Sequence, residues 1–563
     1  MSTHHKTNRF EEFIFASISR TSRRVAIILV VLALLAGSIF MFPTKLVKAK
    51  MLPGKSTNTF SIYVDTPTGS SITQTSSITQ CVTNIMQKES AVTNMEVFLG
   101  QGSPLDYAGL VKGSGMKQGE QFAEIVVNLT DKHTREEASF LMVQRLRPII
   151  QQTCSHIVKG TNIKMIEMPA GPPTLASIVV EVYGDNNAKV ISLSKEVASI
   201  LSKTKGLVDV DVMADEVYKK YELVPLKDKI SRSGLSVEQI NKILYLAFEG
   251  MAVASKNTIE LNDQVSIFVS LSNKSQELEE NTLDNLRNKL SALSLMNKKG
   301  LMIPLTEVVT IKETQSEPTI FHKNLQTMVN VVAETDMVSQ VYPLLDAREK
   351  MIEYFSKDYE VTKVPGITTY MFDLNLKNKI TGEKYLLRWD GEMKVTLDTF
   401  RDLGGAFIAA LILIFLLLVV YYKSFALSGI ILGGSFLSII GVIVGHWFID
   451  LFTEQTFFLT ATSLIGFIAL MGISSRNSLL LIDFAKDLIE NKNIEKNRAI
   501  AIASATRAKP IMLTAIAIIL GSALLASDPV FGGLGIALIS GTIAAVVISL
   551  MFIPVLLANT KAI

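Results

Sequence analysis

The sequence predicts a multi-pass membrane protein, with a six-helix transmembrane bundle arranged one plus five along the chain and a large α+β region outside the membrane. Apolar residues make up 48% of the 563 residues. Several uncharged stretches reach the roughly 20 residues that cross a bilayer. A long interval without any such stretch separates the first from the other five. We therefore expect one large soluble region between the first two spans.

The first predicted span covers residues 25–43, directly after Arg20, Arg23 and Arg24. Its long leader, and a following sequence without an A-x-A-like cleavage site, favour an uncleaved anchor over a signal peptide. The five other runs fall within 399–557 and leave a short tail at 558–563. They are Leu403–Tyr422, Phe425–Ile449, Phe457–Ile482, Ile511–Ser527 and Leu534–Leu557.

Basic residues predict the orientation of these spans. They occur in segment 1–24, before the first span, and they crowd the loop between the fourth and fifth spans as Lys486, Lys492, Lys496, Arg498, Arg507 and Lys509. By the positive-inside rule both segments lie in the cytoplasm, which six spans make consistent. The soluble region then faces outward, which is the periplasm if the cell is Gram-negative. An amphipathic helix near 484–507 is expected on the cytoplasmic membrane surface.

Charge and motifs exclude two classes of function. The net charge is +3, without a dense Lys/Arg block outside the cytoplasmic segments, so nucleic acid is not an expected partner. The sequence has no G-x-x-x-x-G-K-[ST] phosphate loop, no spacing among its 21 methionines that forces a metal site, and no indication of a cofactor. Work by this protein is therefore expected to draw on an ion gradient or a partner.

The soluble region alternates strand-like and helix-like stretches. Apolar residues recur with period two at Phe60, Ile62 and Val64, and amphipathic helices are predicted at Ser71–Lys88 and Arg135–Thr153. This order predicts split β-α-β units of the ferredoxin-like kind. A strand at 208–212 is predicted to turn Asp209 and Asp211 toward solvent, and segment 218–312 reads as an insertion with its own helix and strand.

Two cysteines, Cys81 and Cys154, lie outside the predicted spans, each near the end of a predicted helix. Their expected compartment permits disulfides. Spacing alone does not fix the separation of their Cα atoms. A disulfide and a pair of buried thiols both remain open.

Arg476 lies inside the fourth apolar run, where no acidic residue shares its depth. A charge within a span is costly and tends to mark an ion pathway. The alternative is that the long side chain reaches the cytoplasmic interface. The acidic residues near the ends of the runs are Asp402, Asp450, Asp483 and Asp528. Arg476 is therefore expected to find its partner outside this chain.

Other residues in the spans give further expectations. Gly429 with Gly433, and Gly441 with Gly445, form two G-x-x-x-G spacings that permit close helix contact, although glycines are also simply frequent in spans. His446 and Trp447 are placed in an interfacial aromatic belt, without a catalytic role.

One collinear pattern runs through nearly the whole chain. It consists of KMLPGKSTNTFSIYVDTPTGSSI, AGPPTLASIVVEVYG, YLLRWDGEM, GFIALMGISSRNSLLLIDFAKDL, RAKPIMLTAIAIILGSALLA and MFIPVLL. The pattern resembles the C-terminal half of resistance-nodulation-division (RND) efflux permeases. This resemblance implies porter subdomains at 44–175 and at 176–217 with 313–398, and a docking-like subdomain at 218–312.

The resemblance also implies a proton relay. In proton-driven members the N-terminal half supplies an Asp pair, and the C-terminal half supplies a Lys, an Arg and a Thr, which correspond here to Arg476, Arg507 and Thr514. Asn477 is expected either to join this cluster or simply to line the bundle. Thr514 has the alternative of bonding only to its own helix. Because arginine does not ordinarily lose its proton, Arg476 is expected to act as a fixed counter-charge. The second basic residue of the family's R-x-R-P stretch is Lys509 here.

The expected protein is thus a half-size permease in a bacterial inner membrane, exporting small molecules by proton antiport and catalysing no chemical reaction. The resemblance implies a companion N-terminal-half chain, three such protomers per pump, a periplasmic adaptor and an outer-membrane channel, all within a lipid bilayer. Two alternatives remain open: a truncated inactive fragment, and a protein-export accessory protein of the same superfamily. No residue pattern distinguishes among metal, drug, lipid and solvent cargoes.

Overall fold

The computed structural model describes residues 9–104, 107–167, 171, 174–259, 264–271, 282–336, 339–364, 369–453 and 455–562. The contacts divide the chain into two compact units. One consists of Met1–Ala214 with Ile320–Ile563, and the other of Asp215–Thr319. The predicted insertion at 218–312 lies within the second unit.

Two helices begin the described chain: α1, Arg9–Ser19, and α2, Thr21–Phe40. The helix α2 is the first candidate span. The helix α1 buries Ile14 and Ile18 in the apolar core of the bundle, and its Glu11 carboxylate lies 2.7 Å from the Arg498 guanidinium. The segment predicted only as a cytoplasmic N-terminus therefore contains a helix packed on the bundle.

The elements of the first α/β subdomain are β1 Thr59–Asp65, α3 Ile72–Met86, β2 Val92–Gln101, α4 Tyr107–Lys112, β3 Gln118–Leu129, α5 Ser139–Cys154 and β4 Asn162–Glu167. The strands form a four-stranded antiparallel sheet of order β2-β3-β1-β4. The alternating residues Phe60, Ile62 and Val64 are buried beneath α3 and α5, because successive strand residues point to opposite faces. The β-α-β-β-α-β order and this strand order are those of the ferredoxin-like fold.

A disulfide joins Cys81 in α3 to Cys154 in α5, with the Cα atoms 5.8 Å apart. The two helices pack side by side on the sheet. Of the two possibilities that the sequence left open, a disulfide and a pair of buried thiols, the structure has the disulfide. Closing a loop of 73 residues restricts the unfolded chain and is worth about 4 kcal/mol in loop-entropy estimates.

The second α/β subdomain repeats this plan around β5 Ile178–Tyr183, α6 Asn187–Ser202 and β6 Leu207–Met213. After the second unit the chain continues as β13 His322–Lys323, β14 Gln326–Thr335, α11 Val341–Phe355, β15 Tyr359–Lys363, β16 Leu374–Asn378 and β17 Lys384–Asp390. The sheet has the order β13-β14-β5-β17-β16-β15, with β6 also paired to β14. Its core contains Val180, Leu387 and Trp389.

The second unit has its own core around Ile230, Ile240 and Leu305. Its described strands form two-stranded antiparallel pairs, β7–β12, β8–β9 and β10–β11. Its elements are β7 Lys219–Pro225, α7 Lys227–Ser233, α8 Val237–Phe248, β8 Met251–Lys256, β9 Val265–Val269, α9 Leu283–Ser291, β10 Ser294–Met296, β11 Met302–Pro304, α10 Leu305–Val308 and β12 Val309–Gln315.

Within the described residues, six helical segments are long and apolar enough to span a membrane. After α2 they are built from α12 Glu392–Tyr422, α13 Phe425–Phe436 with α14 Ile439–Asp450, α15 Ala461–Glu490, α16 Lys496–Ala526, and α17 Gly532–Val547 with α18 Ile553–Asn559. A π-helical turn, Ile548–Phe552, joins the last two helices. The helix α17 packs against α14, α15 and α16.

Three helices of the bundle extend beyond the predicted spans, and one of them, α15, ends at Glu490 rather than Ile482. The helix α12 begins at Glu392 rather than Leu403, and α16 begins at Lys496 rather than Ile511. The surface helix predicted near 484–507 is wrong, since this stretch consists of the end of α15, a turn and the beginning of α16. The physical reason is burial: Ala499 and Ile500 belong to the bundle core, so this stretch packs on other helices.

Candidate functional site

Arg476 lies near the middle of the 30-residue helix α15, on its exposed side. Exposed Ala469, Gly472 and Leu480 share this side of the helix, at helical spacing. A Cβ atom added at Gly472 would meet nothing within 4 Å. In the part of the chain that the structure describes, Arg476 has no ion pair and no hydrogen bond. The predicted unpaired charge thus lies on an uncovered helix face.

Asp483 follows Arg476 by seven residues on α15, about 10 Å along the helix axis at 1.5 Å per residue. The Tyr422 hydroxyl donates a 2.6 Å hydrogen bond to its Oδ1 atom. The sequence predicts Asp483 only as a residue at a span end. In the structure Asp483 lies within α15 and its carboxylate is hydrogen-bonded to Tyr422 on α12. Asp483 therefore does not neutralise Arg476.

Asn477 faces the other way, into the bundle, with 7% of its surface exposed. Ser474 and Ser478 share this inner side, and Ser478 lies 3.4 Å from Ser549, oxygen to oxygen. The hydroxyls of Ser474 and Thr542 are buried without a hydrogen-bond partner among the described residues. Arg476 and Asn477 are therefore neighbours in sequence that lie on different faces of the helix.

Arg507 and Thr514 lie on α16. The Arg507 guanidinium stacks over the Phe484 ring at 4.9 Å, and its buried Nε has no hydrogen-bond partner in the described chain. The Thr514 hydroxyl donates to the carbonyl oxygens of Pro510 and Ile511, at 3.2 and 2.9 Å. Thr514 thus bonds to its own helix, which is the alternative to a place in the relay cluster. Among the described residues, no hydrogen bond joins Arg476, Arg507 and Thr514 to one another.

The two glycine pairs differ in their surroundings. A Cβ at Gly441 would lie 2.5 Å from the Ser540 carbonyl oxygen, and one at Gly445 would lie 2.2 Å from the Ser540 hydroxyl. This pair therefore permits close contact between α14 and α17. A Cβ added at Gly429 or Gly433 would meet nothing within 4 Å, so their spacing packs no helix within the described part of this chain.

His446 is buried between helices of the bundle, near the end of α14, and is not on the outer surface of the bundle. Its Nδ1 lies 2.8 Å from the Val442 carbonyl oxygen, and its Nε2 lies 2.8 Å from the Ser463 hydroxyl. Two polar neighbours satisfy the ring, which makes burial tolerable. Composition near a span end carries no signal of these contacts.

A second group of charges, which the sequence analysis did not predict, lies near the segment that follows the first candidate span. Lys50 is 8% exposed and lies 5.6 Å from the Phe458 ring. Burial lowers the pKa of Lys50, whereas the charges of Glu392, Glu167 and Glu334 raise it. Burial raises the pKa of Glu167 to about 7, against smaller opposing contributions from Ser139, Arg147, Arg135 and Lys50. No sequence signal links these groups, because they come from widely separated elements.

Together, the helical bundle and the pair of ferredoxin-like α/β subdomains define a class of protein, the multi-pass RND-type efflux permease. The model of the AcrB/AcrD/AcrF family matches residues 2–360 and 371–560, so the chain belongs to this family.

Individual relatives agree with this assignment at low identity. The chain is 23% identical over 535 residues to the swarming motility protein SwrC of Bacillus subtilis (strain 168), covering 94% of this chain and 45% of the relative. It is 22% identical over 452 residues to the multidrug resistance protein MdtC of Yersinia enterocolitica, covering 79% and 40%. The chain therefore spans less than half the length of these relatives.

A solved structure gives the same fold. The crystal structure of a heavy metal efflux pump, crystal form II, superimposes with a TM-score of 0.69 at 17% identity. The superposition covers 97% of this chain and 51% of the pump chain.

Proposed function

We propose that this chain is one half of a proton-driven RND permease that exports small molecules, and that it works only with a companion chain resembling the N-terminal half. The observation that carries the proposal is Arg476, a charge in mid-helix on an exposed face, without an acidic partner among the described residues. The chain also spans less than half the length of SwrC and MdtC.

The chemistry of the site supports a relay in which this chain supplies the cation. A fixed positive charge at low dielectric favours ionised carboxylates on a facing helix, and their protonation weakens the attraction. Proton uptake would then loosen the packing of the two half-bundles. Arg507 and Thr514 are proposed to flank this contact, whereas Asn477 faces the interior of this bundle. Gly429 and Gly433 are proposed to offer a second surface to the companion.

The proposed assembly contains three pairs of chains in a bacterial inner membrane, with the α/β subdomains in the periplasm. A periplasmic adaptor and an outer-membrane channel are proposed to complete the export route. Coexpression tests the pairing: we expect this chain to copurify with a six-span companion that carries paired acidic residues, and to transport only in that complex. An active complex that contains this polypeptide alone would refute the pairing.

Substitution of Arg476 tests the relay. We expect Arg476→Gln to reduce proton-coupled export in proteoliposomes at least tenfold, because the facing carboxylates lose their counter-charge, whereas Arg476→Lys retains most of it. Lys486→Gln, on the same helix, is the matched control, since Lys486 pairs with Glu490 at 3.5 Å within this chain. Copurification of the companion must stay unchanged. Export by Arg476→Gln at the wild-type rate would remove Arg476 from the relay.

The two alternatives give different results in the same experiments. A truncated inactive fragment would give no transport with any companion. A protein-export accessory protein would show a secretion defect in a deletion strain, without loss of small-molecule export.

A further inference from the structure

The two α/β subdomains meet along a contact that we call the seam. In each ion pair across the seam, the first subdomain contributes the cation and the second contributes the carboxylate. Lys164 also pairs with Asp65 of its own subdomain, at 2.6 Å. Lys112 Nζ lies 2.6 Å from Glu334 Oε1, and Lys164 Nζ lies 2.5 Å from Asp211 Oδ2. Arg147 bridges two carboxylates, with Nε 3.1 Å from Asp209 and Nη1 3.0 Å from Asp336.

The cations of these pairs and Asp209 are largely withdrawn from water, whereas Glu334, Asp211 and Asp336 are 19%, 29% and 31% exposed. The side chains of Lys112, Arg147 and Lys164 are 7%, 9% and 7% exposed, and that of Asp209 is fully buried. The sequence pattern predicts that Asp209 and Asp211 mark a solvent-facing side of their strand. That prediction is wrong for Asp209, which the first subdomain covers, whereas the Asp211 side chain stays 29% exposed and pairs with Lys164.

The backbone at Asp209 shows how strongly the seam is specified. Its φ is +53°, a left-handed conformation that is uncommon outside glycine and costs free energy. In this conformation the carboxylate accepts from Arg147 and, through Oδ1, from the Gln151 amide at 3.1 Å. Both donors lie on α5 of the opposite subdomain.

The two subdomains have separate apolar cores. Among the described residues, the buried apolar cluster of the first subdomain and that of the second share no member. A polar cavity of about 120 Å³ opens along the seam, lined by Lys112, Arg147, Glu167, Glu334 and Asp336 together with neighbouring residues. Each subdomain therefore has an apolar core of its own, separate from the seam.

The energetics of such a contact favour reversible opening. Buried ion pairs give little net stability, because the hydration that charges lose on burial is regained on exposure. An apolar contact of equal area would instead lose roughly 25 cal/mol for each Å² exposed. Ion pairs do fix the register of the two surfaces, because a shifted register would leave charges buried without partners.

We propose that the ion pairs of Lys112, Arg147 and Lys164 form an electrostatic latch between the two subdomains, and that releasing it separates them while both cores stay folded. The proposal is independent of the companion chain and of the direction of transport. Loss of the latch and loss of the proposed relay are therefore distinguishable.

Distance measurement between spin labels tests the latch in the full chain in lipid nanodiscs. Labels at Lys88→Cys and Ser202→Cys report on the two subdomains, and both positions are exposed. The native cysteines are bridged and do not compete. We expect one narrow distance population in the wild type, and an added, longer population in Arg147→Met and in Lys112→Met.

Arg145→Met is the matched control on the same helix. Arg145 also pairs with two carboxylates, at 2.8 Å from Glu89 and 2.8 Å from Glu137, but both lie within the first subdomain. It should keep the narrow population. The charge swap Lys112→Glu with Glu334→Lys should restore the wild-type distribution even if a single variant folds poorly. Unchanged distances in both latch variants, equal broadening in Arg145→Met, or failure of the swap would overturn the proposal.

Discussion

At the residue scale, burial changes what a charged side chain does. Glu167 and Lys50 are separated by most of the first subdomain in sequence, yet they line one cavity. The Oε1 atom of Glu167 is buried without a hydrogen-bond partner in the described chain. The carboxylate of Glu167 is therefore costly to ionise, which gives it a pKa of about 7.

This pKa predicts a pH dependence of stability. Between the ordinary pKa of 4.5 and about 7, the folded protein holds a proton that the unfolded chain has lost, so the free energy of unfolding falls as pH rises. Each pH unit is worth about 1.4 kcal/mol, so the fall reaches about 3 kcal/mol at most. We expect Glu167→Gln to remove this fall and to stabilise the protein at pH 8, as measured by thermal unfolding at pH 5 to 8.

The exposed residue Glu353 on α11 supplies the control. Glu353→Gln should keep the wild-type pH dependence. An equal slope in Glu167→Gln and in the wild type would show that Glu167 ionises without cost.

Sequence reasoning at this scale found Arg476 but not its surroundings. The position of a charge within an apolar run is readable from the chain itself. The seam charges Asp209 and Asp211 follow the alternation of an ordinary half-exposed strand, so the pattern assigned them to water. A pattern of period two shows that two faces differ, but it does not show what covers the polar one.

At the element scale, helix contacts decide which glycines matter. Gly441 and Gly445 meet Ser540 on α17, whereas Gly429 and Gly433 meet open space. Both pairs have the same spacing, so only the arrangement of the helices separates them.

A substitution at each pair should reveal this difference. We expect Gly441→Ala to destabilise the isolated chain by about 1–3 kcal/mol, as overpacking does, because the added methyl would collide with backbone at Ser540. Gly433→Ala should be neutral or slightly stabilising, since alanine favours helix. Thermal unfolding in detergent micelles measures both. Equal losses would show that α14 does not approach α17 closely.

At the scale of the whole molecule, charge and hydropathy bear on orientation. The six candidate spans allow the N-terminal helix and the turn between α15 and α16 to lie on one side of the membrane, and the α/β subdomains on the other. Basic residues around this turn predict, by the positive-inside rule, that it lies in the cytoplasm.

Thiol labelling checks this orientation. A membrane-impermeant maleimide should label Lys205→Cys in intact spheroplasts, and should label Lys492→Cys only after permeabilisation, because the two residues are expected on opposite sides of the bilayer. Both positions are exposed, so access differs only through the membrane. The native disulfide leaves no competing thiol. Labelling of Lys492→Cys from outside would reverse the orientation.

Local patterns in the chain were enough to predict a membrane protein, the one-plus-five order of the candidate spans and the position of Arg476 within one of them. Hydropathy and strand alternation depend only on neighbouring residues, so the chain itself reveals them. The folded arrangement was needed to show that Arg476 and Asn477 lie on different faces of α15, that Asp483 bonds Tyr422, and that the acidic strand β6 closes a seam. These features depend on which distant elements come together. Pairing of charges and burial of polar groups are properties of such contacts, and no local pattern encodes them.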